Sequence, residues 1–152
     1  MAVKPVLLSD FTDPRFRAAF QTYFAELGIS VRDWDGLFRE MNDEGNNRAW
    51  LLPDSAGGAL GFLQFQLTGF SNWFFDEPFG FIREFWIAPA CRRQGLGKTL
   101  LRLTEAYFSD HGAFRSILTT DDAVDFYLAN GYRKALGIRA KNKMEVLAKT
   151  LD

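Results

Sequence analysis

A chain of 152 residues with 18 Lys and Arg against 19 Asp and Glu carries a net charge of −1, and that length fits a single domain over 1–152. One cysteine, Cys91, and one histidine, His111, exclude a disulfide framework and a zinc centre built from Cys and His, so no metal is expected. Interspersed charges offer no basic face to nucleic acid, and the sequence has neither a long apolar run nor an apolar leader after Met1, so the expectation is a cytoplasmic protein without a nucleic-acid or membrane partner.

Val6-Leu7-Leu8 reads as a short strand ended by Ser9-Asp10. Thr12-Asp13-Pro14 then supplies a capping side chain and a first-turn proline, the marks of a helix start. Phe16, Phe20, Tyr23, Phe24 and Leu27 follow on one helical face, and Gly28 ends it. A second, shorter helix is predicted over Asp33 to Met41. Ala49 to Leu52 and Leu60 to Leu67 read as a hairpin around the turn-forming run from Pro53 to Gly58. An aromatic segment from Phe70 to Phe79 leads into a strand from Gly80 to Ile87, closed by Pro89.

A glycine-containing turn then opens a helix whose Leu96, Leu100, Leu103 and Tyr107 share a face, with His111-Gly112 as its stop. Phe114 to Leu118 is a predicted strand, Asp122 to Asn130 a helix halted by Gly131, and Tyr132 to Leu136 a strand. The tail from Lys143 to Leu151 suits strand or helix. This order predicts a mixed α/β domain with a hairpin half and a crossover half.

The chemistry concentrates between Ile87 and the helix near Gly95, in Arg92-Arg93-Gln94-Gly95-Leu96-Gly97. A helix start leaves backbone N–H groups unpaired and partly positive, and glycine lets an anion approach the main chain closely. Arg92, Arg93 and Lys98 add charge. Gly97-Lys98-Thr99 resembles the end of a nucleoside-triphosphate loop, but Arg92 stands where the first glycine belongs. A dinucleotide fingerprint fails at Leu100. The pattern [RQ]-x-x-G-x-[GA] matches in full, as Arg92, Gly95 and Gly97.

Phe81 to Pro89 followed by Arg92 to Leu101 resembles the signature strand, turn and helix of the GCN5-related N-acetyltransferases. Ala123-Val124-Asp125-Phe126-Tyr127-Leu128-Ala129-Asn130-Gly131-Tyr132 resembles that family's second marker. The resemblance implies a splayed mixed sheet flanked by helices, acetyl-CoA as co-substrate, and an amine on a small molecule or peptide as acceptor. It places the diphosphate on the N–H groups from Gln94 through Leu96 and Gly97 to Lys98, and the pantetheine arm along the backbone near Phe85 and Ile87. Tyr127 takes the place of the family's general acid. Thr120 stands where the family often has asparagine, so it offers the cofactor arm a hydroxyl in place of an amide.

Glu84 is the acid of an otherwise apolar strand segment, where a lone carboxylate is costly. It either pairs with a neighbour such as Arg83 or serves as the proton acceptor. His111 suits a structural place at a helix end, and Cys91 has no organised base beside it. Trp73, Phe74 and Phe75, with Asp76 and Glu77, suit a pocket for a cationic amine, or else a hydrophobic loop or a homodimer surface. The rival functional class is a non-catalytic acyl-CoA-binding sensor.

Overall fold

The structure is a computed structural model and describes residues 3–152. Helix starts and stops follow their caps. In α1 (Pro14–Leu27), Asp13 accepts from the Arg15 N–H at 2.9 Å, and Gly28 closes the helix at φ 72°. Asp33 caps α2 (Trp34–Glu44), which runs past the predicted end at Met41 to the next left-handed glycine, Gly45 at φ 79°.

The strands are β1 (Val6–Leu8), β2 (Asn47–Pro53), β3 (Ala59–Ser71), β4 (Asp76–Ile87), β5 (Arg115–Thr120), β6 (Arg133–Lys134) and β7 (Glu145–Thr150). Among the described residues they form one seven-stranded sheet in the order β1-β2-β3-β4-β5-β7-β6, in which only the β4–β5 pair is parallel. Two further helices, α3 (Leu96–Asp110) and α4 (Val124–Ala129), flank the crossover half.

The ambiguous tail is a strand. β7 pairs with β5 from Arg115↔Thr150 to Thr120↔Glu145, covering an edge that would otherwise be left open. The strand predicted over Tyr132 to Leu136 shrinks to Arg133–Lys134, because Tyr132 is fully buried and Gly137 turns the chain at φ 83°. β3 and β4 extend through the aromatic segment, pairing Thr68↔Phe79 to Ser71↔Asp76. What reads as a loop is the far end of a long hairpin.

Both faces of the sheet are covered. Under α1 and α2 lie Phe11, Phe16, Phe20, Phe38, Met41, Phe62 and Trp86, and the Phe16 ring sits 5.0 Å from those of Phe11 and Phe62. Much of the aromatic bulk is therefore core. Under α3 and α4 lie Leu63, Phe65, Ile82, Leu100, Leu101, Phe108, Tyr127, Tyr132 and Leu147. A buried polar cluster pins this second layer. Glu105 of α3 meets the Tyr132 hydroxyl at 2.9 Å and Lys149 Nζ at 3.2 Å, and Tyr132 also bonds Ser116 Oγ at 2.7 Å. Removing one partner of such a set leaves the others buried without partners, which is why it fixes α3, β5 and β7 together.

Gly80 lies where β4 meets β5, and a Cβ there would overlap the ring of the fully buried Phe108. Gly80→Ala should therefore destabilise the fold by about 1–3 kcal/mol, as overpacking does. Gly58→Ala, which adds a Cβ in open space, should leave the urea midpoint nearly unchanged. Equal midpoints for both variants would refute the close packing at Gly80.

Candidate active site in the β4–β5 cleft

The site begins with a failure of pairing. β4 and β5 are bonded only at Gly80↔Ser116 and Phe81↔Ile117, after which β4 continues to Ile87 and β5 to Thr120 without pairing to each other. A bulge contributes to the divergence. Opposite Gln64 and Phe65 stand Glu84 and Ile82, leaving Arg83 as the extra residue of β4. Such a bulge sharpens the local twist and re-aims the side chains beside it.

Glu84 is one of the side chains at this bulge. Its Oε2 is buried without a hydrogen-bond partner, and Arg83 does not neutralise it, because Arg83 pairs instead with Glu44 at 2.9 Å. Burial pushes the Glu84 carboxyl from its ordinary 4.5 up to about 7, with the Arg83 charge opposing the shift weakly. Tyr127 on α4 is buried, and burial raises its phenol, aided by the charges of Asp122 and Glu84. Tyr23 on α1 is raised for the same reason, with Glu84, Tyr127, Asp122 and Asp121 contributing in that order. Tyr23 packs with the layer under α1 and Tyr127 with the layer under α4. The Glu84 charge contributes to the shift of both phenols.

The turn after β4 forms the second half of the site. A single 3₁₀ turn over Pro89–Cys91 precedes it, and Arg93 adopts the left-handed region at φ 64°, a conformation that costs a non-glycine residue roughly 1–2 kcal/mol. Gly95 follows at φ 80° as the N-cap of α3, and no side chain caps the start of that helix. A Cβ on Gly95 would meet nothing within 4 Å, so the main chain there is open to a ligand. Gln94, Arg93 and Lys98 are exposed, while Leu96 is half-buried and packs on the core. An open depression of about 410 Å³ runs along α3, lined by Gly95, Lys98, Thr99, Arg102 and Leu103. The uncapped N–H groups with Arg93 and Lys98 beside them fit a phosphate-bearing ligand.

Several predicted residues are differently engaged. Arg92 donates through Nε to the Ile87 carbonyl at 2.8 Å and pairs with Glu26 at 3.0 Å, so its guanidinium braces the turn against α1. Glu26 also accepts from Trp86 Nε1 at 3.0 Å. Gly97 differs from Gly95: its missing Cβ would lie in ordinary contact with Phe85, Phe126 and Ile87, so it serves the packing of α3 on β4. Thr120 Oγ1 accepts from the Ala123 N–H at 3.1 Å, shaping the start of α4. Trp73, Phe74 and Phe75 are not brought to the cleft. They precede β4, of which Glu84 is the ninth residue, a separation on the order of 25 Å along the strand.

The sequence reading missed Tyr23, Glu26 and Asp121. Tyr23 is the one hydroxyl on a helical face otherwise made of Phe and Leu, a signal that periodicity alone discards. Among the described residues, no three His, Cys, Asp or Glu side chains group to hold a metal, and no helix is long and apolar enough to cross a membrane.

A raised carboxyl pKa is a stability statement. Between the unfolded value near 4.5 and the folded value of about 7 the folded chain holds the extra proton, so stability falls as pH rises through this window. Glu84→Gln should stabilise the protein by about 3 kcal/mol at pH 8 and by little at pH 4.5. Urea unfolding at the two pH values measures this, and an equal effect at both would remove the buried charge from the account.

The comparisons agree with this architecture. The Acetyltransferase (GNAT) family profile matches residues 7–137. No curated protein resembles the chain closely enough in sequence to count as a match. Among solved structures, an acetyltransferase of the GNAT family from Staphylococcus aureus Mu50 is 16% identical with a TM-score of 0.74, over 99% of this chain and 100% of that one. An aminoglycoside acetyltransferase from an uncultured soil metagenomic sample, solved with sisomicin, is 17% identical with a TM-score of 0.70, over 91% and 95% of the two chains. The NatC complex bound to Gag peptide and CoA matches at 14% identity and a TM-score of 0.72, over 100% of each chain. At such identities these likenesses establish the fold. The family profile goes further, since it spans most of the sequence and covers both the open β4–β5 cleft and the uncapped turn before α3: the chain belongs to the GNAT acetyltransferase family, and it is an acyltransferase.

Proposed function

We propose that the chain transfers an acetyl group from acetyl-CoA directly to a primary amine on a small molecule or peptide. The observation that carries this reading is Glu84, a carboxylate with a buried, unpartnered oxygen and a pKa of about 7, set in the same cleft as Tyr127. The N–H groups of Leu96, Gly97 and Lys98, with the Arg93 and Lys98 side chains, would hold the diphosphate. When bound, acetyl-CoA supplies an activated acetyl group and a thiol leaving group.

The remaining work falls to the chain's own groups. An alkyl amine with a pKa of about 10 is mostly protonated at neutral pH and must lose a proton before it can attack. Glu84 accepts that proton, directly or through water, and its raised pKa keeps the carboxylate basic enough for the task. Tyr127, held protonated by burial, donates to the departing sulfur. The charges of Asp121, Asp122 and Glu84 make this side of the cleft acidic, which favours a cationic acceptor. Support for an amine comes also from the fold's company, since one neighbour was solved with sisomicin and another with a peptide and CoA.

Thiol release with acetyl-CoA and a panel of amines tests the reaction itself. With the best acceptor, log(kcat/KM) against pH should break near pH 7, and Glu84→Gln should abolish that break. Tyr127→Phe, which retains the ring, should lower kcat about a hundredfold and leave acetyl-CoA affinity nearly unchanged. An acyl donor with a more acidic thiol should lose less. Parent-like turnover in Tyr127→Phe would assign the acid elsewhere.

The cofactor half has its own test. Gly95→Val puts a branched side chain where the main chain lies open and should weaken acetyl-CoA binding at least tenfold, about 1.4 kcal/mol, by calorimetry. Because φ is 80° at this position, thermal stability should fall as well, so the binding titration is run well below the variant's midpoint. Unchanged affinity would move the phosphate site away from the turn.

A further inference from the structure

Among the described residues, the most exposed large apolar side chains are not scattered. Trp73 is 100% exposed, Leu136 93% and Phe74 87%, with Phe75 at 63% and Phe70 at 57% the next most exposed. All five lie in two segments, the tip of the β3–β4 hairpin and the loop between β6 and β7. The tip, residues 70–79, carries Asp76 and Glu77 and no base. The loop, residues 134–144, carries Lys134, Arg139, Lys141 and Lys143 and no acid. The loop also encloses a depression of about 330 Å³ lined by Leu136, Ile138, Met144, Arg139, Lys143 and Lys134, the last paired with the one acid of the lining, Glu145, at 3.7 Å. One segment is an aromatic, acidic projection and the other an apolar, basic hollow.

The two cannot meet within one chain. Arg115, the first residue of β5, lies beside the hairpin tip, with its Nε 3.7 Å from Glu77. Thr120, the last residue of β5, pairs with Glu145, and Asn142 donates to Thr119 Oγ1 at 3.0 Å, so the loop sits at the opposite end of that strand. We infer that two copies of this chain associate reciprocally, each seating the Trp73–Phe74 tip of its β3–β4 hairpin in the Leu136–Met144 hollow of the other. Reciprocal contact closes the pair with two-fold symmetry. Opposite charge around each seat sets the register and excludes tip against tip or loop against loop. Burying half the surface of four rings per tip, at about 150–250 Å² a ring, in two contacts with matching loop surface gives roughly 1,200–2,000 Å², the range of stable interfaces.

Sedimentation velocity on the full chain from 1 to 100 μM tests this, since a dimer should form with concentration and weaken at least tenfold between 50 and 500 mM NaCl. Trp73→Ser with Phe74→Ser, and separately Leu136→Ser with Ile138→Ser, should each give folded monomers by circular dichroism. The decisive arm is charge exchange. Asp76→Lys with Glu77→Lys should be monomeric, as should Lys141→Glu with Lys143→Glu, and an equimolar mixture of the two should recover the dimer. A parent chain that stays monomeric at every concentration overturns the inference. So does a dimer that survives the loop variants, which would place tip against tip. Sedimentation of a monomeric parent with phosphatidylcholine and phosphatidylserine vesicles, lost on Trp73→Ser, would assign the tip to lipid and equally overturn it.

Discussion

Everything distinctive about this molecule follows from two strands that stop pairing. A buried peptide group needs a hydrogen-bond partner, and β4 loses its neighbour on one side after Phe81↔Ile117. The rest of the sheet is organised so that this gap stays open. On one side β5 is held by β7 along its whole length and by the Glu105, Tyr132 and Lys149 cluster. On the other, β4 is held by β3 and by the aromatic layer beneath α1 and α2. Both walls of the cleft are thus fixed by contacts outside it.

Burial also shapes the site's electrostatics. Here Tyr23, packed with the layer under α1, and Tyr127, packed with the layer under α4, are both raised chiefly by burial, with the Glu84 charge adding to each. The carboxylate is costly to bury, and that cost is what lifts its titration from the ordinary carboxyl range to near neutrality.

Local rules were legible in the sequence wherever the physics is local. Asp13, Pro14 and Gly28 delimit α1, and the strand, turn and helix around Arg92 to Gly97 could be read from their residues and from resemblance to a family. Reading failed where a feature depends on contact across the fold. The hairpin tip shows no alternation because most of its side chains are exposed, and a strand without a buried face has no period to display. Arg92 looks like a free cation until Glu26, distant in sequence, is placed beside it. Gly95 and Gly97 look equivalent in the motif, yet one faces open space and the other the rings of Phe85 and Phe126.

Glu26 lies in the last turn of α1, where a carboxylate faces the negative end of the helix dipole and is poorly tolerated unless offset. Its offsets are Trp86 and Arg92, the latter from the turn that precedes α3. One guanidinium thus serves two acceptors, the Glu26 carboxylate and the Ile87 carbonyl. Any contact that drew this guanidinium away would leave Glu26 facing the negative end of α1, so the two free energies are reciprocal. Through one arginine, the turn before α3 and the helix that carries Tyr23 are tied together.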